Sequence, residues 1–177
     1  MRRTIIGVAL GAAALAVGLG ATTPAYAQDF QAQLRGFQEV PAISTPATGT
    51  FEATVRPGQI DYVLTYDRLQ GEVAVAHIHF GQTGVNGGIS AFLCSNADDA
   101  PVGVPTCPDS GTVTGTILRA DVIGPEAQGI APGQFGKLAA AMRAGITYAN
   151  VHSDDFPAGE IRGQIRRVQQ APAGAGN

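Results

Sequence analysis

From Phe30 onward, apolar and polar residues alternate along the chain with the period of two that a half-buried strand requires. Phe30, Ala32 and Leu34 open the pattern. Phe51, Ala53 and Val55 continue it against Thr50, Glu52 and Thr54, and after Pro57 and Gly58 a further run places Ile60, Tyr62, Leu64 and Tyr66 on one face. The Pro-Gly pair makes these two runs a hairpin. Segments 72–80, 89–94, 111–118, 146–152 and 160–168 add five more strands. Eight strands separated by clusters of Gly, Pro, Asn and Asp predict an all-β fold, an antiparallel Greek-key-like sandwich. Helical spacing occurs once, within 133–143, where Phe135, Leu138, Ala139 and Met142 share a face and Gly145 follows as a stop. A single short helix across one end of the sandwich is expected.

Composition agrees with this reading and narrows the function. The chain has 177 residues, enough for one domain, and its 24 glycines with only 14% charged residues suit a turn-rich β protein. A hydrophobic share of 45% supports one core and excludes a wholly disordered chain. Residues 1–27 read as a secretory leader: Arg2 and Arg3, an apolar run from Thr4 to Ala21, and a small-x-small site at Ala25, Tyr26 and Ala27. The paired arginines also admit twin-arginine export. The expected organisation is leader 1–27, one domain 28–168 and a disordered tail 169–177, in a secreted or periplasmic protein. Losing Arg2 and Arg3 with the leader takes the formal charge from −3 to −5. Nucleic acid is therefore a poor partner. With no basic amphipathic stretch either, no membrane contact is expected after cleavage.

The two cysteines, Cys94 and Cys107, both lie in the exported part. Oxidation there favours a disulfide that closes a short loop; thiolate metal ligation is the alternative, without a Cys-x-x-Cys spacing to support it.

All three histidines fall in two segments. Alternation sends His77 and His79 to the same face of one strand, about 7 Å apart along the backbone, and His152 ends another strand. Three imidazoles with a fourth position open suit one copper or zinc ion. Asn150, Asp154 or Asp155 can orient a ring nitrogen from behind the ligands. Glu160 and Arg162 alternate on one strand face, either as an ion pair or with Arg162 free to receive a small anion. The core face of 72–80 stays undecided, since Val73 and Val75 share the histidine side while Ala74, Ala76, Ile78 and Phe80 share the other. Imidazoles buried on either face must be paired or ligated.

At these residues the chain resembles the chordin-type, or CHRD, domain family. The matching stretches are 34–41 (LRGFQEVP), 76–81 (AHIHFG) with 84–87 (GVNG), 148–153 (YANVHS) and 159–165 (GEIRGQI). The resemblance implies an extracellular β-sandwich, of a kind found in chordin and in bacterial exported proteins. It gives fold and location rather than a defined activity. His77 and His79 are also similar to the His-x-His copper ligands of copper-zinc superoxide dismutases, with Arg162 placed like their anion-guiding arginine. The further metal ligands of those enzymes have no counterpart, so the similarity implies at most one copper ion. Two functions remain open at this point. One is copper or zinc binding at His77, His79 and His152, with or without turnover. The other is a non-catalytic adhesion or binding module that meets an extracellular protein and uses its histidines structurally.

Overall fold

The computed structural model of the chain describes residues 27–98 and 100–169. The leader and tail expected from the sequence fall outside them, apart from Ala27 and Gln169. Among the described residues the strands are β1 (Gln28–Arg35), β2 (Thr48–Arg56), β3 (Gln59–Asp67), β4 (Val73–Phe80), β5 (Gly88–Ser95), β6 (Gly111–Leu118), β7 (Thr147–Ser153), β8 (Ile161–Gln164) and β9 (Arg166–Arg167). Helix α1 spans Phe135–Arg143. The strand order is β5-β4-β7-β8-β1-β2-β3-β6, antiparallel throughout. This is the all-β antiparallel architecture with one helix that the alternation predicts.

The sheet path is thin at its middle. β1 meets β8 through the single pair Arg35 and Arg162, whereas β1–β2 and β2–β3 pair along their full lengths. Gly163 lets that junction close, since a side chain there would collide with the Gln33 carbonyl. The predicted strand 160–168 is accordingly split. Its first half pairs with β7, its second half (β9) pairs with β1 at Phe30 and Gln31, and the fully buried Ile165 sits at the change of partner. A strand that changes partners cannot keep one continuous ladder, which alternation alone does not reveal.

In β1, β2 and β3 the alternation reports burial faithfully, with Phe30, Leu34, Phe51, Val55, Ile60 and Leu64 all facing the core. The β2–β3 hairpin turns at Pro57 and Gly58, where Gly58 takes a positive φ of 84°. Helix α1 adds Phe135, Leu138, Ala139 and Met142 to that core. It stops at Gly145, with φ 68°, where the Gly145 and Ile146 amides donate to Met142 and Ala141 in a Schellman arrangement.

β4 and β7 depart from simple alternation. All seven residues of β7 are buried, as are Ala76, His77, Ile78 and His79 of β4. An irregularity between Val73 and Val75 turns Val73 into the core with Ala76 and Ile78, which leaves the histidines on the outward face. At the far ends of the sheet path, β5 is tied to the segment before β6 by the disulfide Cys94–Cys107, with a sequence separation of 13. Asn96 reinforces this loop by donating to the Val73 and Cys107 carbonyls and accepting from the Cys107 amide.

Because the linked cysteines close a short loop, opening that loop should cost about 3 kcal/mol. The double variant Cys94→Ser with Cys107→Ser should lose about that much in denaturant unfolding, and thiol titration of the denatured, unreduced protein should detect no free thiol. Two titrating thiols, or an unchanged midpoint, would contradict the assignment.

Candidate metal centre

Cross-strand register assembles the histidines. On the outward face, His77 stands opposite Asn150, His79 opposite Tyr148, and Val75 opposite His152, so His152 lies diagonal to His77 across β4 and β7. The three residues are only 4%, 7% and 7% exposed. His77 Nδ1 lies 3.3 Å from His152 Nε2, and one nitrogen from each ring falls within 4.8 Å of the others. Ligand bonds of about 2.0–2.1 Å place tetrahedral ligand nitrogens nearer to each other than that, so closing on an ion calls only for small ring adjustments.

Two rings are held from behind by backbone carbonyls. His79 Nδ1 sits 3.0 Å from the Gly87 carbonyl, and His152 Nδ1 sits 3.1 Å from the Pro157 carbonyl. With Nδ1–H donating to each carbonyl, both rings keep Nε2 as the lone-pair nitrogen, that of His152 facing His77 Nδ1 and that of His79 free. His79 Nε2 and His77 Nε2 are buried with no hydrogen-bond partner. An unpaired buried ring nitrogen is costly unless something completes it, and a metal ion does so. The loops that supply these carbonyls also wall the face off. Tyr148 stacks on His79 with centroids 4.8 Å apart and accepts from the Gly87 amide, while Phe92 of β5 meets His77 edge-on at 4.6 Å.

Burial sets the protonation state. Loss of water pushes His77 down to about 3, helped by His152 and His79. Loss of water also pushes His79 down to about 4, against the opposing Gly87 bond. His152 is lowered for the same first reason, with its Pro157 bond opposing. All three imidazoles are therefore neutral near neutrality, the form that ligates metals.

The residues expected to support the histidines occupy other places. Asp154 is exposed in the turn after β7, as is Asp155, and neither bonds to a histidine ring. Carbonyls take that orienting role, and they carry no side-chain signature in a sequence. Asn150 is on the histidine face, but its Oδ1 is unpartnered, and it packs against Gly159 and Glu39. Glu160 is fully buried. It accepts hydrogen bonds from Thr45 Oγ1 at 2.6 Å, Ser153 Oγ at 2.6 Å and the Gln70 amide at 2.9 Å. It thus ties three loops together and makes no ion pair with Arg162, whose carboxylate neighbour is Glu39, 3.5 Å away. Arg162 lies over the Tyr148 ring at 4.8 Å. Glu39 is the residue the sequence reading missed. Its only visible signal was a place in the 34–41 stretch, because its partner lies more than a hundred residues further on.

A family model for the CHRD domain matches residues 30–165, a span that contains every residue of this centre. No curated protein and no solved structure matches the chain. Among the described residues, no helix is long and apolar enough to cross a membrane.

The lowered histidine values make stability depend on pH. Between the ordinary 6.5 and about 3 to 4 the unfolded chain binds protons that the folded chain refuses, so stability falls as pH falls through that window. Glu39 works the other way. Burial raises it to about 7 from 4.5 despite Arg162, so its contribution is lost as pH rises between those values. Three histidines outweigh one carboxyl, and each contributes at most about 1.4 kcal/mol per pH unit. Metal-free protein should lose thermal midpoint steadily below 6.5, and His77→Gln should flatten that slope. A level profile down to about 4 would contradict the burial argument.

Proposed function

The chain belongs to the CHRD domain family, and on that footing we propose that it is an exported metal-binding domain that holds one copper or zinc ion on His77, His79 and His152. The observation that carries this reading is the convergence of three buried imidazole nitrogens within 4.8 Å, two of them on rings fixed by carbonyls. The unpartnered Nε2 of His79 supports it further. Zinc or copper is the natural guest of an all-imidazole set, and three protein ligands leave one position open. When bound, zinc would supply a Lewis acid and copper a one-electron couple.

The chain's own residues have separate tasks around that ion. Gly87 and Pro157 orient His79 and His152, Tyr148 and Phe92 exclude water, and the β4–β7 ladder fixes the spacing. Export is supported by the leader-like residues 1–27 and by the disulfide, which persists in oxidising compartments. Where Glu39 is ionised, above about 7, Arg162 does not present an unbalanced charge to an incoming anion. That arrangement disfavours a dismutase-like steering role for Arg162.

A second reading, a non-catalytic module that meets an extracellular protein, draws on a different face. A cavity of about 580 Å³ beside β6 and the disulfide loop is bordered by the exposed Val102, Leu118 and Ile123. Exposed apolar residues grouped in this way are a feature of partner-binding surfaces.

Metal should stabilise only the folded state. At a hundredfold excess over Kd, zinc or copper(II) should add about 2.7 kcal/mol, raising the thermal midpoint by about 5–10 °C. His79→Ala, with its fold checked by circular dichroism, should abolish most of that rise. An unchanged wild-type midpoint at saturating metal would remove the metal reading and leave the binding module.

A further inference from the structure

The surroundings of the three histidines bear on which ion they take, an inference that rests on the metal reading above. One nitrogen from each of His77, His79 and His152 lies within 4.8 Å of the others, so an ion bound by all three sits between the rings themselves. The rings are 4%, 7% and 7% exposed, and such an ion gives up most of its own water. The cost of that dehydration grows with the square of the charge, so a divalent ion loses about four times as much as a monovalent one of the same size.

A buried divalent ion ordinarily recovers this loss from anionic ligands. Among the described residues no carboxylate or thiolate joins the three nitrogens, and both cysteines are already joined in the Cys94–Cys107 disulfide. The walls add no negative charge either. Phe92 meets His77 edge-on, Tyr148 stacks on His79, and Asn150, which stands opposite His77 across β4 and β7, carries a neutral carboxamide.

The charge that does reach the centre is positive. Arg162 lies 4.8 Å from the centre of the Tyr148 ring, the ring that stacks on His79, and after the loss of water its charge is among the causes that disfavour a proton on His79. Burial raises Glu39 to about 7 despite Arg162, so near neutrality the carboxyl beside that guanidinium offsets it only in part. Repulsion from a fixed cation doubles when the ion carries two charges. Coordination number acts in the same direction, because zinc is almost always four-coordinate and the chain supplies three donors.

We propose that the three-histidine centre selects a monovalent, filled-shell ion, copper(I), over zinc and copper(II). Imidazole suits zinc and copper alike, so ligand type alone does not make the choice. Dehydration, the lack of an anionic ligand and the field of Arg162 make it together.

The test titrates the metal-free, disulfide-bonded protein at neutral pH with silver(I), zinc, copper(II) and, under argon with a chromophoric competitor, copper(I). Silver(I) is a redox-inert probe that shares the charge and filled shell of copper(I). Free imidazole titrated in the same buffer gives the intrinsic bias of each ion. Relative to imidazole, silver(I) and copper(I) should bind at least about tenfold more tightly than zinc and copper(II). His79→Ala should abolish most of the binding of all four, which ties them to this centre. Arg162→Met removes the cation, keeps a long apolar side chain over Tyr148 and should narrow the margin by strengthening the divalent ions. If that variant fails to fold, the wild-type ratios decide alone. A wild-type margin below about tenfold, or one that favours the divalent ions, would overturn the selectivity and leave the metal centre standing. No saturable binding of any of the four ions, or binding indifferent to His79→Ala, would overturn both.

Discussion

Every residue of β7 is buried, as are four consecutive residues of β4, and that two-sided burial governs the arrangement of this protein. A central strand pair whose inner face already packs into a core normally gives its outer face to water. Here the loops at 36–40, 82–87 and 154–160 fold over that outer face and are tied to it by Arg162, His79, Tyr148 and His152. Once covered, polar side chains on the face must be neutral, paired or ligated. The neutral histidines, the Glu39–Arg162 pair and the buried Glu160 cluster are three answers to the same constraint.

The same cover explains the division of labour between neighbouring groups. Tyr148 on β7 lies between β4 and β8, stacking with His79 and carrying the Arg162 guanidinium over its ring. It therefore separates an uncharged nitrogen cluster from an ionic one by the width of a strand. Glu160 accepts three hydrogen bonds and locks the loop that carries Pro157 and Gly159, the first of which orients His152 while the second leaves room for Glu39 and Asn150. Position, more than residue type, decides which of the buried polar groups are structural and which keep a free atom.

Much of this was legible along the chain, for reasons that also mark where legibility stops. β1, β2 and β3 read correctly because one face meets the core and the other meets water, so polarity alternates as the pleat does. The helix and its stop at Gly145 were equally plain. On β4 the pattern was ambiguous because both faces are buried and an irregularity at Val73 reverses one position. The splitting of 160–168 was hidden because a change of partner leaves composition unaltered. The three histidines could be placed on shared faces from spacing alone, whereas their carbonyl partners at Gly87 and Pro157 could not, since backbone groups leave no residue signature. Glu39 escaped for a related reason: its pairing with Arg162 is made by tertiary folding, and Glu160 was the nearer carboxylate in sequence.

The central claim is that three imidazoles meet on one ion, and X-ray absorption at the metal edge of protein loaded with one equivalent of zinc or copper addresses it most directly. The account predicts first-sphere nitrogen scattering at about 2.0–2.1 Å with the outer-sphere signature of three imidazole rings. His152→Ala should reduce that signature to two rings. A first sphere of oxygen donors alone, with no imidazole scattering in the wild-type protein, would contradict it.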